Sequence, residues 1–309
     1  EIRSSDWSSD VCSSDLRSSR FELWQGGEIV AKNPQADTQR YLFVMPPMPH
    51  SSPLVTTLLR VLFESAKMGF ELVPILLKSD EIDLDFLAET SKEIGPILPL
   101  VSFSKEQNNQ LEALGAPVKK AIFATDSPLY PVVAALYGAS GRAMASRMVS
   151  SGHRNLVYLC SSSSLLENLN QLRYAGVLQG CILGGCPTPT MLTTEYNSPN
   201  LSGELVQLFS KNPGIDGFIC HNDFLAMEVI QALRMCGRMV PNDCAVIGVG
   251  NAPEGQLFNP PLTSVDFNPD ASGRIYAQAL GEYLSGKKVV APNPEEVDKI
   301  MTLVARGSA

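Results

Sequence analysis

The sequence predicts an α/β protein of two Rossmann-like lobes, each a parallel sheet covered by helices. Three observations predict it. Short apolar runs alternate with segments of helical period from Tyr41 to the end. The runs are continuous rather than every second residue, as strands buried on both faces require. The alternation completes one series near residue 160 and then starts a second.

Taken in order, Tyr41–Met45 is an apolar run closed by Pro46-Pro47, a buried strand. Leu58, Leu59, Leu62, Phe63 and Ala66 recur at helical spacing. Glu71–Leu77 reads as a strand and 82–93 as a helix. Further strands are expected at 97–102, 118–124 and 131–135, then a helix over 139–151 and a strand at Leu156–Cys160. The second series has helices at 164–180, 201–211, 223–236 and 270–285. Its strands fall at 191–196, 217–220, 244–249 and Ile300–Ala305. Connections between parallel strands run through covering helices, so ligands of such sheets sit at the strands' carboxyl ends.

Composition narrows the function. Hydrophobic residues make up 44% of 309, enough for two cores of ordinary size. No stretch approaches the roughly 18 consecutive apolar residues of a membrane helix. The start carries no basic, apolar and small-residue blocks of a secretory signal, so the expected location is cytoplasmic, with no membrane partner. A net charge of −8 argues that DNA contact belongs to a segment outside this sequence. The seven cysteines are odd in number and form no C-x-x-C, and most lie in apolar runs; they read as buried thiols. His50, His153 and His221 supply no paired metal-ligand spacing, so neither a metal nor a cofactor is expected.

The first 17 residues repeat Ser-Ser-Asp three times without hydrophobic period. Val11–Leu16 resembles a translated sequencing adapter; a natural disordered tail gives the same structural expectation. Residues 18–40 read as a linker. Within it, Phe21–Gln25 and Glu28–Ala31 flank Gly26-Gly27, a hairpin signal. That hairpin is either the remnant of a winged DNA-binding domain or a linker strand without function.

Catalytic signatures are missing: there is no G-x-S-x-G, no phosphate loop and no H-E-x-x-H. The serines Ser161–Ser164 follow a strand end with no histidine nearby in sequence. They cap the next helix or offer hydroxyls to a ligand. The chain is therefore expected not to be an enzyme. Gly152 is expected to end its helix in a left-handed turn, with His153 meeting the last carbonyls.

The second half carries an ordered run of motifs: Ser151-Gly152-His153-Arg154, His221-Asn222-Asp223-Phe224-Leu225-Ala226, Pro241–Gly248, Pro260-Pro261-Leu262-Thr263 and Val304–Ser308. Over about residues 40–309 this resembles the effector domain of the LacI/GalR family of transcription regulators. The resemblance implies a periplasmic-binding-protein-like type I fold with three crossover segments. The first lobe would hold 41–159 and 267–288, the second 160–266 and 289–309.

By resemblance, Arg173 matches the family's effector-binding arginine, whose fork of donors suits vicinal hydroxyls or a carboxylate. Asp223 matches the family's acid. Asn222 and Asp223 are then expected to share effector binding and helix capping. His221 and Ser161 stand at strand ends beside them. In the first lobe the family's Asn-Pro-aromatic reads Ser52-Pro53-Leu54, its Asp-Asn reads Leu136-Tyr137, and its acidic pair reads Gly250-Asn251. Ser52, Leu54, Tyr137 and Asn251 thus occupy ligand-facing positions with altered chemistry. The implied ligand is a sugar-like effector: a less polar, modified or acidic sugar, or a non-sugar effector, with an empty pocket as the remaining alternative. The resemblance further implies a homodimer whose operator binding belongs to an N-terminal domain not in this sequence. The alternative is the solute-binding protein of a sugar transport system.

Overall fold

The structure is a computed structural model that describes residues 24–25, 28–29, 38–46, 53–77, 82–163 and 166–309. The chain falls into two compact units, residues 1–38 and 39–309. In the first, β1 (Trp24–Gln25) and β2 (Glu28–Ile29) pair antiparallel, Trp24 against Ile29. The adapter-like segment lies outside the described residues.

The second unit contains two sheets. The smaller has the order β4-β3-β5, all parallel, from β3 (Gln39–Met45), β4 (Phe70–Leu76) and β5 (Ile97–Pro99). Pro74 sits inside β4, where it has no N–H to give; it is tolerated because β4 is an edge strand. Around this sheet pack α1 (Pro53–Lys67), α2 (Leu84–Ile94) and α9 (Pro269–Leu284), with α9 against α1. Asp83 caps α2 through the Phe86 amide at 2.9 Å. The helix α3 (Lys105–Ala113), which the apolar pattern does not signal, begins in a full Ser104–Gln107 capping box.

The larger sheet runs β11-β10-β9-β8-β6-β7. Its strands are β6 (Leu156–Ser161), β7 (Thr190–Thr194), β8 (Gly217–Cys220), β9 (Ala245–Val249), β10 (Thr263–Asp266) and β11 (Thr302–Val304). All neighbours are parallel except β10 and β11, so the last strand closes an antiparallel edge. The covering helices are α5 (Glu167–Leu183), α6 (Leu201–Lys211) and α7 (Asp223–Met235), with short α8 (Pro253–Leu257) and α10 (Pro294–Ile300). Two parallel sheets joined by three passages of chain match the expected fold class. The passages lead through α4 (Tyr130–Ser150), from β10 into α9, and through α10 back to β11.

Three expectations give way. Residues 118–124 form one bridge, Ile97 to Val118, followed by turns rather than a strand. Lys120 holds Asp126 at 2.6 Å across that segment. Residues 131–135 are the first turns of α4: Pro131 at its start removes an N–H that would have no partner there, and Ala134, Ala135 and Leu136 propagate the helix past the two valines. The strand Leu156–Ser161, expected to end the first lobe, pairs with β7 and β8 in the larger sheet. Its six residues are buried, which a position between two neighbours explains.

Helices α4 and α5 cross at glycines. A methyl group on Gly141 would strike the Arg173 carbonyl, and one on Gly176 the Gly138 carbonyl. The crossing is backbone on backbone, and it sets the height at which Arg173 leaves α5. Gly203 differs: it lies exposed within α6 with open space around its Cα. Gly203→Ala is expected to raise stability by about 0.5–1 kcal/mol, read as a higher urea midpoint at unchanged slope.

Gly152 ends α4 at φ 96°, and the His153 amide donates to Met148 O at 3.1 Å, the left-handed termination its sequence announces. Among the described residues six cysteines are free and five are buried. Burial pushes the Cys160 and Cys244 thiols up to about 11 and Cys181 to about 12, so they are unreactive.

Candidate functional site

The carboxyl ends of β6 and β8 and the first turns of α5 and α7 meet α4 in one buried polar cluster. Arg173 lies on the second turn of α5 and is only 7% exposed. Its Nε donates to Ser140 Oγ at 3.0 Å, and its Nη1 donates to the His221 carbonyl. The guanidinium also stacks over the Tyr137 ring, 4.4 Å from its centroid. Tyr137 in turn touches Phe123, whose ring meets Tyr276 of α9. One α4 side chain therefore links the first-lobe core to the carboxyl edge of the larger sheet.

His221 follows β8 and is buried; its Nδ1 lies 2.9 Å from the Tyr158 hydroxyl. Burial and the nearby Arg173 charge push its pKa well below the ordinary value, so the ring is neutral at physiological pH. Asn222 caps α7, its Oδ1 accepting from the Leu225 amide at 2.9 Å, while its Nδ2 donates to the Tyr196 hydroxyl at 2.6 Å. Capping and a cluster-facing contact thus fall to the same residue.

Asp223 sits differently. It opens α7, is 1% exposed, and turns toward β10. Its Oδ1 accepts from Ser264 Oγ at 2.7 Å and its Oδ2 from the Ala252 amide at 2.6 Å. Gly248 leaves the room, because a methyl group there would strike Asp223 Oδ1. Burial raises its pKa from 3.8 to about 6, against these hydrogen bonds and the charges of Arg306 and Arg173. The structure does not bring the Arg173 guanidinium and the Asp223 carboxylate into contact. Asn251, at φ 55°, is likewise held by protein: its Nδ2 donates to Asp266, and its Oδ1 accepts from Arg306 at 2.6 Å.

Ser161 is buried at the end of β6, its Oγ accepting from the Ser163 amide at 3.2 Å. Leu54 stands on α1, half-buried against the first-lobe core. Ser52 lies outside the described residues. The cluster also includes side chains that the motifs do not single out: Ser140, Tyr158, Tyr196 and Asn170. Asn170 is 3% exposed, and its Nδ2 donates to Ser161 O at 2.8 Å. Its spacing of three from Arg173 puts both on one face of α5, a signal readable in the sequence. Among the described residues no group of three or more His, Cys, Asp or Glu is placed to hold a metal ion.

A family model described as the periplasmic binding protein-like domain matches residues 145–309, just over half of the chain. The HTH-type transcriptional regulator GntR of Pseudomonas aeruginosa is 32% identical over 173 residues, 55% of this chain and 48% of its own length. GntR of Escherichia coli K12 is 30% identical over 171 residues, 55% and 50%. The chain spans about half the length of these curated relatives. Among solved structures, the transcriptional regulator CelR in complex with cellobiose superposes with a TM-score of 0.65 at 19% identity, over 89% of this chain and 86% of that one. A LacI family transcriptional regulator from Arthrobacter sp. FB24 in complex with lactose gives 0.57 at 20% identity, over 87% and 99%. At such identity the likeness is one of fold. The chain belongs to the family of periplasmic binding protein-like domains.

Proposed function

We propose that this chain is the effector-sensing part of a bacterial transcription regulator, working in the cytoplasm and without catalytic activity. A small sugar-like molecule is bound where Arg173, Asn222, His221 and Tyr137 converge. The observation that carries the reading is the buried arginine at the carboxyl edge of a parallel sheet, bridged by Tyr137 to the other lobe's core. A ligand held there touches both lobes, so its binding energy biases their relative position. The relatives being regulators supports a sensor over a transport protein.

Operator binding belongs to a DNA-binding domain outside this sequence, in keeping with the net charge of −8. The working unit is a homodimer. Met235 and Met239, at the end of α7, and Leu257 on the adjacent α8 are exposed apolar side chains that pairing would cover.

The test is calorimetric titration of the chain with neutral sugars, sugar acids and nucleosides. At least one class is expected to bind saturably, with affinity falling by about tenfold or more in Asn222→Ala or Tyr137→Leu. Binding indifferent to both substitutions would place the effector elsewhere.

A further inference from the structure

The end of α5 brings two thiols together. The helix and the turn after it read Cys181-Ile182-Leu183-Gly184-Gly185-Cys186. Gly185 is left-handed at φ 64°, and its amide donates to Ile182 O at 3.1 Å. The Cys186 amide reaches back to Cys181 O at 2.8 Å. This pair of bonds is the Schellman termination, in which the residue after the left-handed position packs its side chain on the third-last residue of the helix. An apolar contact ordinarily fills that place. Here both positions are cysteine, in one apolar cluster, and the Cys181 thiol donates a hydrogen bond to the Cys186 sulfur. The backbone bond closes the turn on itself, so its end Cα atoms approach within the span of about 4.4–6.8 Å that a disulfide bridges.

Among the described residues no other two cysteines are so placed. Cys220 pairs with Leu159, so Cys160 faces the opposite side of the larger sheet. Cys236 and Cys244 donate to the carbonyls of Ser202 and Ile215, on different elements.

The two thiols of the turn are not equivalent. Cys181 is 1% exposed and Cys186 8%, with the Cys186 thiol donating to Arg154 O at 3.2 Å. Burial pushes both up, Cys181 to about 12; at Cys186 the hydrogen bond from Cys181 and the Arg154 charge oppose the rise. The turn between them is exposed, carries no side chain at Gly184 or Gly185, and has open space beside the Gly185 Cα. A small oxidant approaching along it meets Cys186 first. Cys181, inert alone, is held against it.

We propose that Cys181 and Cys186 are a reversible oxidation site, a dithiol that closes to a disulfide across the end of α5 when the protein meets hydrogen peroxide. The Cys186 thiolate attacks a peroxide oxygen: an S–O bond forms, the O–O bond breaks, and the departing hydroxide takes up the proton that Cys186 released. The Cys181 sulfur then displaces the hydroxyl of the sulfenic acid, and its own proton leaves with that hydroxyl as water. In sum, two thiols lose two protons and two electrons, and one peroxide becomes two waters. Contact makes the second step intramolecular, which favours it over further oxidation of Cys186. In a reducing cytoplasm the dithiol is the resting form, so the bond marks an oxidative event rather than a structural staple. The inference stands apart from the effector-site reading.

The experiment exposes the whole chain, with Cys12→Ser, to hydrogen peroxide, then unfolds it in an alkylating reagent and maps its peptides. Trypsin releases residues 174–211 as one fragment holding only these two cysteines. That fragment is expected to lose both alkyl labels and to regain both after dithiothreitol, while the other four cysteines stay labelled. Because the thiolate limits the first step, the initial rate should rise about tenfold per pH unit between pH 7 and pH 8.5. Cys181→Ser should leave a sulfenic acid on Cys186 that dimedone traps, and Cys186→Ser should leave Cys181 a free thiol. Circular dichroism reports whether the variants fold; the map of the parent chain decides if they do not. A disulfide elsewhere, or irreversible oxidation of Cys186 with Cys181 still free, overturns the proposal. So does survival of both thiols at a dose that oxidises the urea-unfolded chain.

Discussion

Gly176→Val is expected to abolish soluble folded protein, or to lower the urea midpoint by an amount equivalent to about 3 kcal/mol or more. The reason is the crossing of α4 and α5. A Cβ at position 176 meets the Gly138 carbonyl, and one at Gly141 meets the Arg173 carbonyl and the Val177 amide. These neighbours are backbone, so no side chain can swing aside to absorb the branched group. The helices must separate, and α5 carries Arg173 and Asn170 while α4 carries Tyr137 and Ser140. Against a total stability of roughly 5–15 kcal/mol, that loss is severe. Where some folded protein survives, ligand affinity should fall with stability, since the same displacement pulls Ser140 off Arg173. Gly203→Ala is the control, because it adds a methyl group to open space. A Gly176→Val protein with wild-type midpoint and wild-type binding would show that the helices do not meet as described.

The alternation of apolar runs with helical periods was enough to read the sheet strands on either side of α4, because buried parallel strands leave an unmistakable signal. It failed between residues 118 and 135. Val118, Ala121, Ile122 and Phe123 are apolar enough for a strand, yet half-buried Val118 makes only the single bridge to Ile97, and the buried Ile122 and Phe123 pack from a turn against the first-lobe core. Burial alone does not choose a backbone conformation, and there the turn around Asp126-Ser127-Pro128 decides. Tyr130–Ser150 shows the opposite ambiguity: two valines suggest a strand, but 21 residues rich in alanine favour a helix. The position of Leu156–Ser161 was out of reach for a simpler reason. Which sheet a strand joins depends on partners far along the chain, here Thr190–Thr194 and Gly217–Cys220.

The candidate site was legible in part. Arg173, Asn222 and His221 stand out by motif and position, and the structure groups them. The sequence could not show that Asp223 faces Ser264 and Ala252, because a helix-opening acid has the same signature whether it points to a ligand or to its own protein. Nor could it show that Asn170 lacks a donor; that follows only from the packing of Ser161 beside it.

That orientation gives Asp223 a pH signature of its own. Burial raises its pKa from 3.8 to about 6. The folded protein therefore holds this proton more tightly than the unfolded chain. Between those values the native state binds more protons, and stability attributable to the group falls as pH rises. The favourable contribution is fully present below 3.8 and lost above about 6. At about 1.4 kcal/mol per tenfold change in proton affinity, the ionised carboxylate costs the fold about 3 kcal/mol at neutral pH. Asp223→Asn removes that cost and keeps both contacts, its amide oxygen accepting from the Ala252 amide and its nitrogen donating to the Ser264 hydroxyl. The variant should thus be more stable than the wild type at pH 7.5, with the difference shrinking as the pH falls toward 4. Asp223→Ala removes the same cost but leaves the Ala252 N–H and Ser264 hydroxyl buried without an acceptor, at about 2–3 kcal/mol, so it should lie near the wild type at pH 7.5 and fall below it by about that amount at pH 4. Denaturant titrations of the three proteins at pH 4, 5, 6 and 7.5 measure these differences directly. If Asp223→Asn were destabilising at pH 7.5 and the gap widened with pH, the carboxylate would be compensated by a cation, Arg306 before Arg173.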